Sequence, residues 1–391
     1  MAKIFLAAVC AAAIAGAGGS AEPAFAGSVR VRCQWRDPLD GHPLDFQFSG
    51  SPLIILPAGG QLEVSPADSA GALTLLRDGR PFRTDRTLLL AAPEKPGAYY
   101  LALRIEAGDS RRDLDLCVFV PYRASAGTAG KGRDVYVEGE KVGNYPLPMH
   151  SGNLKVRNNP ESYQPPVLWF RLSPRNIGFE VVPGVAAGDL VAAAEDTGRR
   201  HTDLVPVGYG MWTAILRLRE ALERRGIPGS ALKLISGFRA PPHNRAVGSN
   251  AFGRHIYGDA FDFYIDLEGD ARASDLNRDG KVDRRDAYEI VSTIEDLQAD
   301  GIIPRGGIGV YHTLGGDHGL TMHLDLRGHR ANWGYHYSAG GKRSEFAWDS
   351  RRFRDEQRRE EDEARARAAK EGKPYRRPRR EPLPPSDARL R

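Results

Sequence analysis

The stretch 253-GRHIYGDAFDFYID-266 places a histidine, His255, seven positions before an aspartate, Asp262. The small residues Gly258 and Ala260 lie between them. An imidazole and a carboxylate at this spacing can be two members of a metal-ligand set. Such a set takes its ligands from more than one element of the chain. The question is therefore which residue, elsewhere in the sequence, completes it.

A second imidazole in a strand-like context occurs in 319-GLTMHLDLRG-328. There His323 alternates with Thr321 and Asp325 on one face of a short apolar strand. A set of His, Asp and His leaves a fourth position for a water molecule whose pKa zinc would lower, which fits a catalytic zinc site. Spacing alone also allows ordinary loop histidines, so these residues by themselves leave both interpretations open.

Length and composition place the chain among ordinary soluble globular proteins. Its 391 residues allow two domains, and its hydrophobic and charged fractions are 41% and 27%. The net charge of +5 is modest, and we expect no nucleic acid partner. Residues 349–391 are dense in both charges and nearly lack apolar side chains, which predicts a solvated helix and a Pro/Arg-rich tail. Its arginines can meet an anionic wall polymer or phospholipid, or simply keep the tail soluble.

The first residues have the pattern of a signal peptide over 1–26. Lys3 precedes the apolar run IFLAAVCAAAIAGAG, and an A-x-A cleavage pattern follows at Ala24-Phe25-Ala26. A membrane anchor is the alternative, although the apolar core is short for a span. No other apolar run is long enough to cross a membrane. We therefore expect an exported protein, periplasmic or extracellular.

After cleavage the chain retains two cysteines, Cys33 and Cys117. In an oxidising compartment, two cysteines within one domain-sized stretch most simply form a disulfide. The alternative is a pair of buried thiols.

Residues 28–123 show the alternation of β-strands. The segments SVRVRCQW, PGAYYLALRIEA and DLDLCVFVPY each place apolar side chains on one face, and Pro, Gly and Asp turns separate the strands. Short strands of this kind indicate a small immunoglobulin-like sandwich. The following residues, 124–133, are rich in Gly, Ala and Ser and are interpreted as a flexible linker.

Beyond the linker, residues 134–348 indicate an α+β domain. The segment GMWTAILRLREALERRG, 210–226, has an apolar stripe at helical spacing and ends at a glycine. A strand, LKLIS, follows at 232–236, and we interpret the residues after it, 237–265, as a long functional loop. Helices alternating with short strands support the α+β class.

The segment 275-DLNRDGKVDRRD-286 has the residue order of a calcium loop. Positions 1, 3, 5, 9 and 12 of an EF-hand carry oxygen ligands, position 6 carries a glycine, and position 7 offers its backbone carbonyl. The residues at these places are Asp275, Asn277, Asp279, Gly280, Lys281, Asp283 and Asp286. The segment predicts a calcium site similar to that of dockerin modules; a solvated acidic turn is the alternative.

Three segments in order, SGFRAPPHNRAVG, GRHIYGDAFDFYID and HGLTMHLDLRGHRANWG, resemble the core motifs of the zinc D-Ala-D-Ala carboxypeptidase family. That family belongs to a wider group with lysostaphin-type enzymes and the hedgehog signalling domain. The resemblance covers about 205–335 and implies zinc ligands at His255, Asp262 and His323. It also implies that Arg239 lies at the active site and faces anionic groups of the substrate, a role that suits a guanidinium. Bracing of the loop by this arginine is the alternative.

The sequence departs from the family at one place. Well-characterised members carry an acidic general base three residues before the final histidine ligand, where this chain has Leu320. The base would then be Asp325 or Asp317, and His318 can help to stabilise an oxyanion. The expected function is a zinc metallopeptidase acting on peptidoglycan peptides, as a carboxypeptidase or an endopeptidase. The alternative is a non-catalytic exported protein that binds the wall or a partner and retains the metal site.

Overall fold

The structure is a computed structural model that describes residues 28–36, 43–67, 71–107, 109–191, 202–313, 318–337 and 343–345, with three single residues near the C-terminus. The predicted signal peptide, 1–26, lies outside the described residues, as does nearly all of the tail 349–391. The described part is a mixed α+β fold made mostly of sheet. Within it, no helix combines the length and apolarity needed to cross a bilayer.

Nine strands form the N-terminal part, and they belong to two sheets. One sheet has the order β2-β1-β4-β7, and the other has the order β3-β9-β8-β5-β6. Neighbouring strands are antiparallel except for β3 and β9. The three strands predicted from alternation are confirmed as β1, β8 and β9. The nine are β1 Val29–Arg36, β2 Pro43–Phe48, β3 Leu53–Ile55, β4 Gln61–Pro66, β5 Ala72–Arg77, β6 Arg80–Asp85, β7 Leu88–Ala91, β8 Gly97–Ala107 and β9 Ser110–Val120.

No disulfide joins the two cysteines of this part, so the predicted bond is wrong. Cys33 lies on β1 and Cys117 on β9, which belong to different sheets. Both side chains are buried in the apolar cluster between strands, where cysteine packs as a small hydrophobic residue. Burial raises the pKa of the Cys117 thiol to about 12. The alternative of two buried thiols describes this structure.

The predicted flexible linker, 124–133, is instead part of a sheet. Four strands follow one another here: β10 Tyr122–Arg123, β11 Ser125–Ala129, β12 Gly132–Val137 and β13 Glu140–Pro146. β11 pairs antiparallel with β12 along its whole length, and Gly130 makes the turn between them with a φ of 59°. The Gly and Ala residues that resemble a linker serve a tight hairpin, because small residues fit both structures.

The remaining helices and short strands lie between this hairpin and the last sheet or between strands of that sheet. They are α1 Leu154–Arg157, β14 Leu168–Arg171, β15 Glu180–Val182, β16 Val185–Ala186, β17 Leu204–Pro206, α2 Tyr209–Arg224, α3 Pro241–Ala246 and α4 Arg284–Ala299. The apolar stripe of α2 is buried, which confirms the helix predicted for 210–226. The last residues of the 275–286 segment form the start of α4.

A six-stranded sheet with the order β18-β19-β21-β20-β22-β23 forms the C-terminal part. Its strands are β18 Leu232–Ser236, β19 Ala260–Ile265, β20 Gly307–Thr313, β21 Leu320–Asp325, β22 Ala331–Tyr337 and β23 Arg343–Glu345. The strands predicted at 232–236 and around His323 are confirmed. The predicted loop 237–265 is wrong in part, because it contains α3 and ends in β19. β19 is a strand because its backbone pairs with β18 on one side and with β21 on the other.

The two parts share one apolar core instead of two separate ones. One cluster of buried side chains includes residues from every strand of β1 to β9 except β6, from α2 and α4, and from the six-stranded sheet, while a second, smaller cluster lies around β12, β13 and β14. Phe170 stacks edge-on against Phe119 of β9 and against Trp212 of α2. The Tyr209 hydroxyl donates to the Ile55 carbonyl and accepts from the Ile55 N–H, both at 3.0 Å. The first turn of α2 is therefore fastened to β3.

Replacing Tyr209 with phenylalanine should lower the free energy of unfolding by about 1–3 kcal/mol, because the buried N–H and C=O of Ile55 lose their partner. Chemical denaturation gives the value. Tyr99→Phe is the matched control, since the Tyr99 hydroxyl makes an exposed bond to the Lys95 carbonyl and its loss should cost less than about 0.5 kcal/mol. Equal effects in the two variants would contradict the fastening role of Tyr209.

Candidate metal centre

Three side chains that can ligate a metal meet on the six-stranded sheet. Asp262 of β19 lies directly opposite His323 of β21 in the antiparallel register. His255 comes from the single turn Arg254–Tyr257 that precedes β19. One ligand atom from each residue lies within 4.8 Å of the other two, and among the described residues this is the only such group of three. The structure therefore brings together the set that the sequence predicts.

The ring nitrogens that face one another are Nε2 of His255 and Nδ1 of His323, at 3.2 Å. Asp262 faces both, with one oxygen 2.7 Å from Nδ1 of His323 and the other 3.2 Å from Nε2 of His255. Two imidazoles and a carboxylate converging on one point are the donor set of a zinc site with an open fourth position. The residues thus fit the metal that the resemblance implies.

Each histidine is oriented through its other ring nitrogen. Nδ1 of His255 lies 2.6 Å from the Gly237 carbonyl, to which it donates, so Nε2 keeps its lone pair for a ligand bond. Nε2 of His323 lies 3.1 Å from Oδ2 of Asp325 and donates to it. A second partner that fixes the tautomer and the ring orientation is the usual arrangement around metal-bound histidines.

The position of Asp325 rules it out as the general base, so that prediction is wrong. Its side chain is fully buried and lies behind the His323 ring, on the side away from Asp262. Its oxygens accept hydrogen bonds from the Arg327 guanidinium and from the Gly307 N–H. A base must reach the reacting water. Asp325 instead anchors His323. The alternation in the sequence correctly predicted its place on the strand, but it could not predict that its carboxylate binds the His323 ring.

Arg239 also contacts a ligand. Its Nη2 donates to Oδ2 of Asp262, and its Nε donates to the Ser236 hydroxyl at 2.8 Å. The guanidinium therefore braces the Asp262 carboxylate, whereas the sequence had offered an anionic group of the substrate or the loop as its partner. Ser236 supports this brace, and Asn244 donates to the Asn250 carbonyl and so holds the loop.

The electrostatics of the cluster leave a single positive charge on the two histidines, and it lies on His323. Burial lowers the pKa of His255. Burial also acts to lower the pKa of His323, but its hydrogen bonds to Asp262 and Asp325 outweigh this and raise the pKa to about 9. For Asp262, the nearby His255 and His323 outweigh burial and hold the carboxyl pKa well below its usual range. At neutral pH the proton on Nδ1 of His323 must leave before that atom can act as a ligand.

The three residues open into a cleft of about 1110 Å³. Sequence reasoning missed the four aromatic residues of its described wall, Tyr163, Phe252, Tyr311 and Trp333. Trp333 of β22 packs against the His323 ring, with ring centroids 5.0 Å apart, and donates from Nε1 to the Tyr311 hydroxyl at 2.8 Å. Gly309 makes room for them, because a Cβ there would lie 2.7 Å from Nε1 of Trp333. Trp333 belongs to the third motif that resembles the carboxypeptidase family, so the sequence did contain a signal that this residue lies at the site.

The remaining predicted catalytic residues do not meet in this cleft. Leu320 is buried on β21, so it offers no base. The ring of His318 stacks on Tyr264 and its Nδ1 lies 2.8 Å from the Ala271 carbonyl. It is absent from the described wall of the cleft, so its predicted oxyanion role has no support in the geometry. Asp317 lies outside the described residues.

The 275–286 segment forms a loop held by its own side chains. Asp275 accepts from the N–H groups of Asp279 and Gly280 at 3.2 and 2.7 Å. Asp286 is buried, and its two oxygens accept from Leu276 and Asp283 N–H groups, each at 2.7 Å. In an EF-hand the twelfth residue binds calcium through both oxygens. The position of Asp286 therefore does not fit that role in the conformation described.

Comparison with known proteins supports the assignment to a peptidase. A family model described as Peptidase M15 matches residues 209–285, which contain Arg239, His255 and Asp262. The third member of the set, His323, lies beyond the matched span and is added by the geometry. No curated protein gives a significant match. A quinonprotein alcohol dehydrogenase-like protein from Bacteroides thetaiotaomicron matches with 16% identity over 22% of each chain and a TM-score of 0.15; at that level the likeness carries no argument.

Asp325→Ala should weaken binding of a divalent metal by about 10- to 100-fold, because the His323 ring loses the partner that orients it. Competition with a chromogenic chelator measures the affinity. Asp259→Ala is the matched control. Asp259 immediately precedes Ala260, which lies opposite Asp325 in the sheet, and its carboxylate pairs with Arg254 and with none of the three ligands. An unchanged affinity in Asp325→Ala would contradict the anchoring role.

Proposed function

We propose that this protein is an exported zinc metallopeptidase that hydrolyses peptide bonds in peptidoglycan, as a carboxypeptidase or a cross-link endopeptidase. The observation that carries the proposal is the convergence of His255, Asp262 and His323 at one end of an open cleft. Two of these residues lie within the span that matches the Peptidase M15 model. The resemblance of the three motifs to D-Ala-D-Ala carboxypeptidases supplies the substrate class.

The residues of the chain would divide the work as follows. Bound zinc supplies a Lewis acid and lowers the pKa of a water molecule in the open position. Asp325 holds the Nε2 proton of His323, and Arg239 keeps the Asp262 carboxylate turned toward both imidazoles. Trp333 covers one face of His323 and keeps water from that side. Asp262 is the only carboxylate in the described wall of the cleft, so Asp317 remains the candidate for the proton acceptor.

The same absence of a second carboxylate favours one alternative. With Leu320 at the usual position of the base and Asp325 enclosed behind His323, the described residues provide a metal site without a general base. A metal site without a general base is what we would expect in a non-catalytic exported protein that binds the cell wall or a protein partner. The two functions differ in whether purified peptidoglycan is cut.

Export and the role of the N-terminal part belong to the same proposal. The residue pattern of 1–26 supports a signal peptide and hence a periplasmic or extracellular location. We also propose that residues 28–123 are an immunoglobulin-like sandwich, because two mainly antiparallel sheets bury their facing side chains in one cluster. Because residues 124–133 belong to the sheet of β11, β12 and β13, the peptidase part expected over 134–348 would begin before residue 134, with the charged tail beyond it.

The purified mature protein should contain about one zinc ion and release muropeptides from peptidoglycan, and His323→Ala should lose both properties. Elemental analysis and chromatography of the digest measure them. His243→Ala, on α3 and outside the ligand set, is the matched control and should retain both.

Asp317→Asn should keep zinc and slow turnover by about a hundredfold or more if Asp317 is the base.

The outcomes separate the two functions. Zinc without any released muropeptide in the wild type would favour the binding protein. Full zinc content in His323→Ala would show that the ligand set is wrong.

We retain calcium binding by the 275–286 loop as a further proposal, on the order of Asp275, Asn277, Asp279, Lys281, Asp283 and Asp286 and on positive φ angles at Arg278 and Gly280. Calcium at a hundredfold excess over its Kd should stabilise the fold by about 2.7 kcal/mol, seen as a higher melting temperature. Asp279→Ala should abolish the rise, whereas Asp270→Ala, in the neighbouring turn, should not. If the melting temperature is the same with and without calcium, the loop does not bind calcium, and Asp286 serves only to cap α4.

A further inference from the structure

The cleft beside the three ligands has a marked excess of positive and titratable cationic groups. Its described wall includes Arg239 and Arg327, the ammonium-bearing Lys155, and the imidazoles of His150 and His329. Asp262 is the only carboxylate among the described residues of the wall. The cationic side chains of the wall outnumber its one described carboxylate, so the charge favours an anionic substrate.

Both guanidinium groups of the wall already serve carboxylates of the protein. Arg239 donates to Asp262, and Arg327 donates through Nε and Nη2 to Asp325. Lys155 differs from them. It is exposed, and it forms no ion pair with any carboxylate in the described part of the chain. Its charge is therefore the one that a substrate anion can neutralise without breaking an internal pair.

His329 lies near Lys155 on the facing loop. The loop between β21 and β22 turns at Gly328, whose φ is 83° and whose Cβ position would lie 3.8 Å from the Ser162 hydroxyl. Burial lowers the pKa of His329, and the positive charges of Arg327 and Lys155 lower it further, which places those charges within electrostatic range of the ring. Nδ1 of His329 is buried and has no hydrogen-bond partner. A proton on Nδ1 would have no acceptor there, so the neutral ring keeps its proton on Nε2, and both His329 and Lys155 line the cleft that a ligand enters.

We propose that Lys155 and His329 form a carboxylate subsite, which binds an acidic side chain of the peptide substrate at a distance from the scissile bond. The subsite rests on the proposed peptidase function for the substrate being a peptide. It adds that this peptide carries a free carboxylate besides the groups that react. In this arrangement Lys155 supplies the charge, and His329 supplies a hydrogen bond from the opposite loop.

The subsite can be tested with two synthetic stem peptides. They differ only in one upstream side-chain carboxylate, which is free in one peptide and amidated in the other. With zinc-loaded full-length protein, calorimetry gives Kd for each peptide, and hydrolysis gives KM and kcat. The wild type should bind the free acid about fivefold more tightly than the amide, the range of one exposed ion pair with a hydrogen bond. Lys155→Gln should remove this preference by raising KM for the acid, with kcat unchanged.

Three further variants separate charge from packing. Lys155→Arg should keep the preference, because it keeps the charge. His329→Gln should reduce it. Lys233→Gln, which removes an exposed lysine of β18 outside the cleft, should leave it intact.

Each result decides for or against the subsite. Equal affinity of the wild type for the two peptides, or an undiminished preference in Lys155→Gln, overturns it even if both peptides are hydrolysed. If neither peptide is hydrolysed but the acid binds more tightly and Lys155→Gln loses that difference, the subsite stands and the proposed peptidase activity fails.

Discussion

The metal centre depends on the antiparallel pairing of β19 with β21. This pairing puts Asp262 opposite His323, and it leaves Gly309 of β20 on the other side of His323. Side chains alternate between the two faces of a strand, so a shift of the register by one residue would send one ligand to the opposite face of the sheet. Buried apolar residues on both strands, Phe261, Phe263, Met322 and Leu324, make such a shift costly. The core of the sheet thus fixes the distance between the ligands.

Around this pairing, the partners of the ligands decide which atoms face the metal. The Gly237 carbonyl and the Asp325 carboxylate each take one ring nitrogen and leave the other pointing to Asp262. Asp325 is in turn held by Arg327, whose guanidinium lies 5.4 Å from the Trp333 ring. The chain of contacts from Trp333 through Arg327 and Asp325 to His323 explains why a segment of only eleven residues, 323–333, contains so much of the site.

The sequence predicted those features that depend on local pattern and failed where partners come from afar. Alternation in β1, β8 and β9 and the apolar stripe of α2 are local, and they gave the right elements. The ligand set was accessible because its motifs resemble a known family. The role of Asp325 could not be predicted in this way. Whether its carboxylate binds His323 or faces water depends on the positions of Gly307 and Arg327, which are its other partners. The pairing of the cysteines failed for a similar reason, because strand alternation predicts that both side chains point inward but not how far apart their sulfur atoms lie. Small residues in β11 likewise fit a linker as well as a hairpin.

The shared core has a consequence for the order in which the protein can be built. The N-terminal sheets leave the ribosome first, yet their buried cluster includes side chains of α2, and Ile55 of β3 finds its hydrogen-bond partner only in Tyr209. Until the chain has been made as far as α2, those sheets must expose apolar surface that has no cover. The N-terminal half therefore completes its core only when α2 packs on it, and the same cluster includes the metal-bearing sheet. Assembly of the two halves is therefore a single event.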